Sequence, residues 1–167
     1  MKHLARSTPA DAPLLHEFAE MDMDERWVPR SPDVMLRTFD AFRGETFPLV
    51  LEDLLALPAD RPVLAEGFSL LPALVAPLVS TPLRAVWLLP TPQFRRHAFA
   101  SRGSMSAIAG RTSDPERALA NLLERDRLFT DQLRRDCAAL ELQTLNVDGR
   151  LTVDQLTDRV GRLLELD

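Results

Sequence analysis

Arginine carries nearly all the positive charge this 167-residue chain has for chemistry: nineteen of its twenty basic residues are Arg, and Lys2 is the single lysine. Four of them, Arg95, Arg96, Arg102 and Arg111, fall within seventeen consecutive residues. A planar guanidinium matches the oxygens of a phosphate and stabilises the charge that develops during its transfer. The alternative is a solvated loop in an arginine-biased protein. Glu66 closes a short apolar run at 61–67. An acid placed there could act as a base towards a substrate hydroxyl, or it caps the next helix or pairs with an arginine. Arg125 stands in the run Glu124-Arg125-Asp126-Arg127. It either reaches the arginine-bearing segment or belongs to surface ion pairs, which are worth little. Asp148-Gly149 combines a carboxylate with a backbone open to close approach, or is simply an Asp-Gly turn.

Other chemistries are excluded. Cys137 is the single cysteine, so there is no disulfide within the chain and no thiolate zinc site. His3, His16 and His97 lack metal-ligand spacing. No Gly-x-x-x-x-Gly-Lys-Ser/Thr phosphate loop is present, and the lone lysine argues against a Schiff base. The composition is 46% hydrophobic and 27% charged, which is ordinary for a globular chain and gives no run long enough to span a membrane. The first residues lack a signal-peptide core, so the expected location is the cytoplasm, without membrane association. A net charge of −5 opposes non-specific nucleic-acid binding. Trp27, Trp87 and Cys137 read as packing residues, and His16 and His97 as surface.

The positioning elements follow from periodicity and punctuation. Leu14, Leu15 and Phe18 share one side of a short helix. Ser31-Pro32-Asp33 is a helix start that should run to about Arg43, with Gly44 as its stop. A helix is expected over 48–57, a buried strand over 61–67, a proline-rich helix over 69–79 and a second strand over 83–89. Residues 93–99 read as helix and 101–112 as a mobile loop. Asp114-Pro115 opens a long helix whose apolar face includes Leu119, Leu122, Phe129 and Cys137. A third strand covers 140–147. Thr152-x-x-Gln155 is a capping box for the last helix. Strands separated by such helices require crossovers, so the expected fold is α/β: a three-layer parallel sheet with helices on both faces, in one domain over 1–167. Ligands then bind at the carboxyl ends of the strands, which places Glu66, Pro90-Thr91 and Asp148-Gly149 on that rim.

Several segments in this order resemble the small P-loop kinases, the group of gluconate kinase, shikimate kinase and chloramphenicol phosphotransferase. They are Val63-Leu-Ala-Glu-Gly67, Ala85-Val-Trp-Leu-Leu-Pro90, the arginine segment 93–112, the run from Asp114 to Arg127, and Leu145-Asn-Val-Asp-Gly149. The resemblance covers 25–167. It implies a helical acceptor-side region (1–60), a strand–helix–strand core (61–92), a lid (93–113) and a return helix, last strand and final helix (114–167). It implies ATP and magnesium as cofactors of an intact relative and a small-molecule acceptor. Glu66 would face the magnesium, and Arg95, Arg96, Arg102, Arg111, Arg125, Asp148 and Gly149 the phosphates or nucleotide. The family's first strand and phosphate loop have no counterpart here, and that strand would lie mid-sheet. The expectation is therefore a phosphotransferase domain impaired in ATP binding, this chain having no cofactor of its own in the limit. The alternative is a non-catalytic binding or oligomerisation module, and a missing central strand favours a homo-oligomer.

Overall fold

The computed structural model describes residues 3–101, 103 and 107–166. It is about 60% helical. The helices are α1 (Pro13–Glu20), α2 (Met23–Trp27), α3 (Pro32–Thr38), α4 (Asp40–Arg43), α5 (Phe47–Leu55), α6 (Pro72–Val75), α7 (Pro92–Ser101), α8 (Pro115–Ala139) and α9 (Val153–Leu163). Two strands, β1 (Val86–Pro90) and β2 (Gln143–Val147), pair in parallel, with Val86 opposite Gln143 and Pro90 opposite Val147. No helix among the described residues is long and apolar enough to cross a membrane.

Local chemistry sets most of the boundaries. Ser31 Oγ accepts from Val34 N and Pro32 occupies the first turn of α3. Asp114 caps α8 by accepting from Arg117 N at 3.1 Å. Thr152 and Gln155 form the reciprocal capping box of α9. Gly44 ends α4 with φ +68, a left-handed turn that favours glycine, and a Cβ there would stand 2.3 Å from Leu74 Cδ1 and displace that side chain.

Helix α8 is the central element. It packs against α2, α3, α6 and α7 and against both strands. Its residues Ala118 and Leu122 join Trp27, Met35 and Ala109 in the core, with Phe18, Phe99 and Ile108 around them. Polar ties fix the same junction. Asn121 Nδ2 donates to Trp27 O at 3.0 Å and Val28 O at 3.1 Å, and Ser113 N donates to Asp24 Oδ1 at 2.7 Å. Those bonds from Ser113, side chain and backbone, hold the Asp24 carboxyl below its ordinary value. Phe18, Phe39 and Phe42 meet edge to face, and Phe42 stacks on Phe129 at 3.7 Å between centroids.

The three-layer parallel sheet expected from the sequence is not what forms. The described residues hold two strands, not three, and no stack of helices on both faces of a sheet. The 61–67 segment is irregular and every residue from 55 to 68 is exposed, including Glu66. An apolar run becomes a strand only where a neighbouring edge accepts its hydrogen bonds. The described strands pair with each other along one edge each, and among the described residues 61–67 has no strand beside it. Two smaller differences have local causes. The 31–43 helix breaks at Phe39, whose extended backbone (φ −86, ψ 116) separates α3 from α4 while its ring packs between Phe18 and Phe42. The 69–79 helix shrinks to one turn plus a 3-10 turn at Ala76–Leu78, because Pro77 has no N–H to continue it. Within 101–112, Ala109–Arg111 form a 3-10 turn and Ala109 is buried in the core.

Candidate functional site

Strand β1 ends at Pro90 and α7 begins two residues later. Thr91 makes that junction tight. Its N–H donates to Val147 O at 2.9 Å, extending the parallel ladder, and its Oγ1 accepts from Phe94 N at 3.2 Å, capping the helix. Arg95 in the first turn of α7 is thereby set beside the carboxyl end of β1, against the middle of α8. A cavity of about 230 Å³ lies there, walled by Pro90, Arg95, Leu123, Asp126 and Thr130, with Arg127, Asp131 and Arg134 also on its lining.

The charges inside are arranged in series. Arg125 is buried and donates from Nε at 3.0 Å and Nη2 at 2.7 Å to Asp126 Oδ1. Its guanidinium also lies 5.1–5.2 Å from the ring centroids of Trp27, Phe39 and Phe42, so cation–π attraction replaces part of the lost hydration. The second oxygen of Asp126 faces Arg95 Nε at 3.7 Å, an ion-pair distance too long for a hydrogen bond. Arg95 Nε is buried and has no hydrogen-bond partner among the described residues. One carboxylate thus serves two guanidiniums. On the rim, Arg127 pairs with Glu124 and Asp131, and Arg134 with Asp131. The bond from Arg127 holds the Glu124 carboxyl below its ordinary value. Counted together, four guanidiniums oppose three carboxylates, which leaves the cavity positive. Its volume lies below the roughly 300–1,000 Å³ of a whole-ligand pocket, so it suits one charged group rather than a nucleotide.

The structure gathers few of the residues singled out from the sequence. Arg95 lines the cavity, and Arg125 lies directly behind it, under the aromatic rings. Arg96 and Arg111 are exposed, and Arg102 lies outside the described residues. Glu66 is exposed and not on the cavity wall. Asp148 pairs with Arg150 at 3.2 Å and accepts from its backbone N at 3.0 Å. Gly149 takes φ +84, and a Cβ there would come within 3.2 Å of the Phe94 ring, so close packing of this turn on α7 accounts for the glycine. Cys137 is buried in α8 with its thiol pushed up to about 11 by burial, which makes it inert.

Asp126 and Thr130 are the residues missed as wall-formers. A signal was present: Leu122, Arg125, Asp126, Phe129 and Thr130 recur at helical spacing, so an Arg-Asp pair falls on the buried stripe of α8. A second cavity of about 230 Å³ lies among the N-terminal helices, with Phe18, Phe39, His3, Asp40 and Thr46 on its wall. Burial raises the Asp40 carboxyl above its ordinary value.

A magnesium ion does not fit the donors around Arg95. Asp126 is engaged by Arg125 and Arg95, Asp131 by Arg127 and Arg134, and no group of three or more His, Cys, Asp or Glu suited to a metal occurs among the described residues. Compared with family models, with curated proteins and with solved structures, the chain matches none.

Proposed function

We propose that the Arg95 cavity binds a phosphoryl group and that the chain serves phosphate transfer involving a small molecule, with only weak hold on ATP. The observation that carries this reading is the buried Arg95 Nε, left 3.7 Å from a carboxylate that Arg125 already occupies. An incoming phosphate oxygen gives that N–H the short, charge-assisted bond it lacks. The position supports the reading too: anions in parallel α/β units bind at the carboxyl ends of strands, beside the first turn of the following helix. Weak ATP binding follows from the sequence, which has no glycine-rich Gly-Lys-Ser/Thr cradle for the remaining phosphates.

The test is a titration followed at the arginine Nε resonances. Inorganic phosphate should shift the Arg95 signal, and Arg95→Ala should remove binding while leaving the fold intact. Calorimetry with Mg-ATP should find an affinity no better than about millimolar, near −4 kcal/mol. Equal phosphate binding by the Arg95→Ala variant overturns the site. Micromolar Mg-ATP affinity overturns the weak hold on nucleotide. Phosphate binding without transfer from Mg-ATP to any hydroxyl compound tried would favour a binding module over an enzyme.

A further inference from the structure

We infer that the outer edge of β1 is closed by the irregular, exposed segment 63–66 of a second copy of this chain, in a reciprocal exchange. The inference is independent of the phosphate reading. It starts from a conflict between what β1 is made of and where it sits. Val86-Trp-Leu-Leu-Pro90 is apolar at every position, the composition of a strand covered on both faces, as interior strands of a sheet are. Its partner β2, Gln143-Thr-Leu-Asn-Val147, alternates and exposes Thr144 and Asn146, as edge strands do. Yet β1 pairs only with β2, and no backbone hydrogen bond among the described residues reaches its other side. Leu88, at its centre, is 44% exposed. An apolar strand with a row of unpaired N–H and C=O groups is a template for strand addition.

The complement is in the same chain. Residues 62–66 lie outside any helix, strand or turn, and Val63 and Leu64 are 51% and 76% exposed. No backbone hydrogen bond is made by 62–66 among the described residues. Each copy therefore offers one acceptor edge and one donor strand. A two-fold exchange uses both and closes on itself, without leaving an edge to propagate.

The surface area agrees. The chain exposes 10559 Å², whereas a compact monomer of its mass exposes about 8,300 Å². The chain therefore leaves surface that a partner can cover.

The experiment is a mass measurement by light scattering at micromolar concentration, with exposed positions chosen so that substitutions do not disturb the fold. The chain should run at twice its own mass. Leu64→Arg should reduce it to monomer mass with an unchanged far-ultraviolet spectrum, whereas Leu151→Arg, at another exposed leucine, should leave the dimer intact. Two differently tagged chains, one Leu64→Cys and one Leu88→Cys, should form a disulfide joining unlike tags. A monomeric wild type overturns the proposal, and so does a dimer indifferent to Leu64→Arg. Open-ended aggregates, or disulfides that join only like tags, overturn it as well.

Discussion

Arg125 and Arg127 stand two residues apart on α8 and occupy opposite environments. Arg127 lies at the surface between Glu124 and Asp131, at 2.6 and 2.7 Å, with nearly half of its side chain in water. Arg125 is buried between Asp126 and three aromatic rings. The better-bonded arginine is the less important one. Water screens the Arg127 pairs and solvates the remnants when either partner is lost. If Arg125 is removed, Asp126 keeps only its 3.7 Å contact to Arg95, and the low-dielectric interior that strengthens the pair also punishes its loss.

The largest expected effect therefore belongs to Arg125→Ala. Leaving the Asp126 carboxylate with Arg95 alone, at 3.7 Å, should cost about 3 kcal/mol in chemical denaturation, the low end for a broken buried pair. Replacing both partners by apolar residues, Arg125→Met with Asp126→Leu, should recover much of the loss. If Arg125→Ala costs no more than Arg127→Ala, burial is not what separates the two sites.

A smaller effect is expected from Asp40, a half-buried acid with no arginine paired to it among the described residues. Burial raises its value in the folded chain above the ordinary 3.8. The folded state then holds a proton that the unfolded state releases, so this stabilising contribution is complete below the ordinary value and is lost as pH rises through the raised one. Asp40→Asn should flatten that part of the stability–pH curve and make the variant the more stable of the two at neutral pH.

The smallest effect is that of Arg127→Ala. Its stability difference from wild type should shrink further on adding salt, since exposed pairs are screened over about 10 Å at 0.1 M. A salt-independent loss would mean that Arg127 acts through the cavity wall rather than through surface charge.

What could be read from the sequence divides along the same line. Features set by near neighbours were legible: the Asp114-Pro115 start of α8, the Thr152/Gln155 box and the Gly44 stop are each decided within a few residues. The site was half legible. The spacing of Leu122, Arg125, Asp126 and Phe129 shows which face of α8 is buried. It cannot show that Trp27, Phe39 and Phe42 would meet Arg125, because those rings come from elements eighty or more residues earlier. The sheet was least legible. Residues 63–66 and 86–90 have the same apolar signature, but a strand is a relation between two segments, and only one of these has a neighbour among the described residues.

The bonds from Asn121 to the carbonyls of Trp27 and Val28 span more than ninety residues, and this has a consequence for how the chain leaves the ribosome. The helices before α8 number ten residues or fewer each, too short to persist alone in water. Their aromatic side chains gain a lasting home only when α8 arrives. At roughly 5–20 residues per second, that delay lasts about 5–20 s after Trp27 is made. During that interval Phe18, Trp27, Phe39 and Phe42 form a sticky nascent chain, so its yield in a cell-free synthesis should depend steeply on a chaperone that shields aromatic segments, and far less once residue 139 has cleared the exit tunnel.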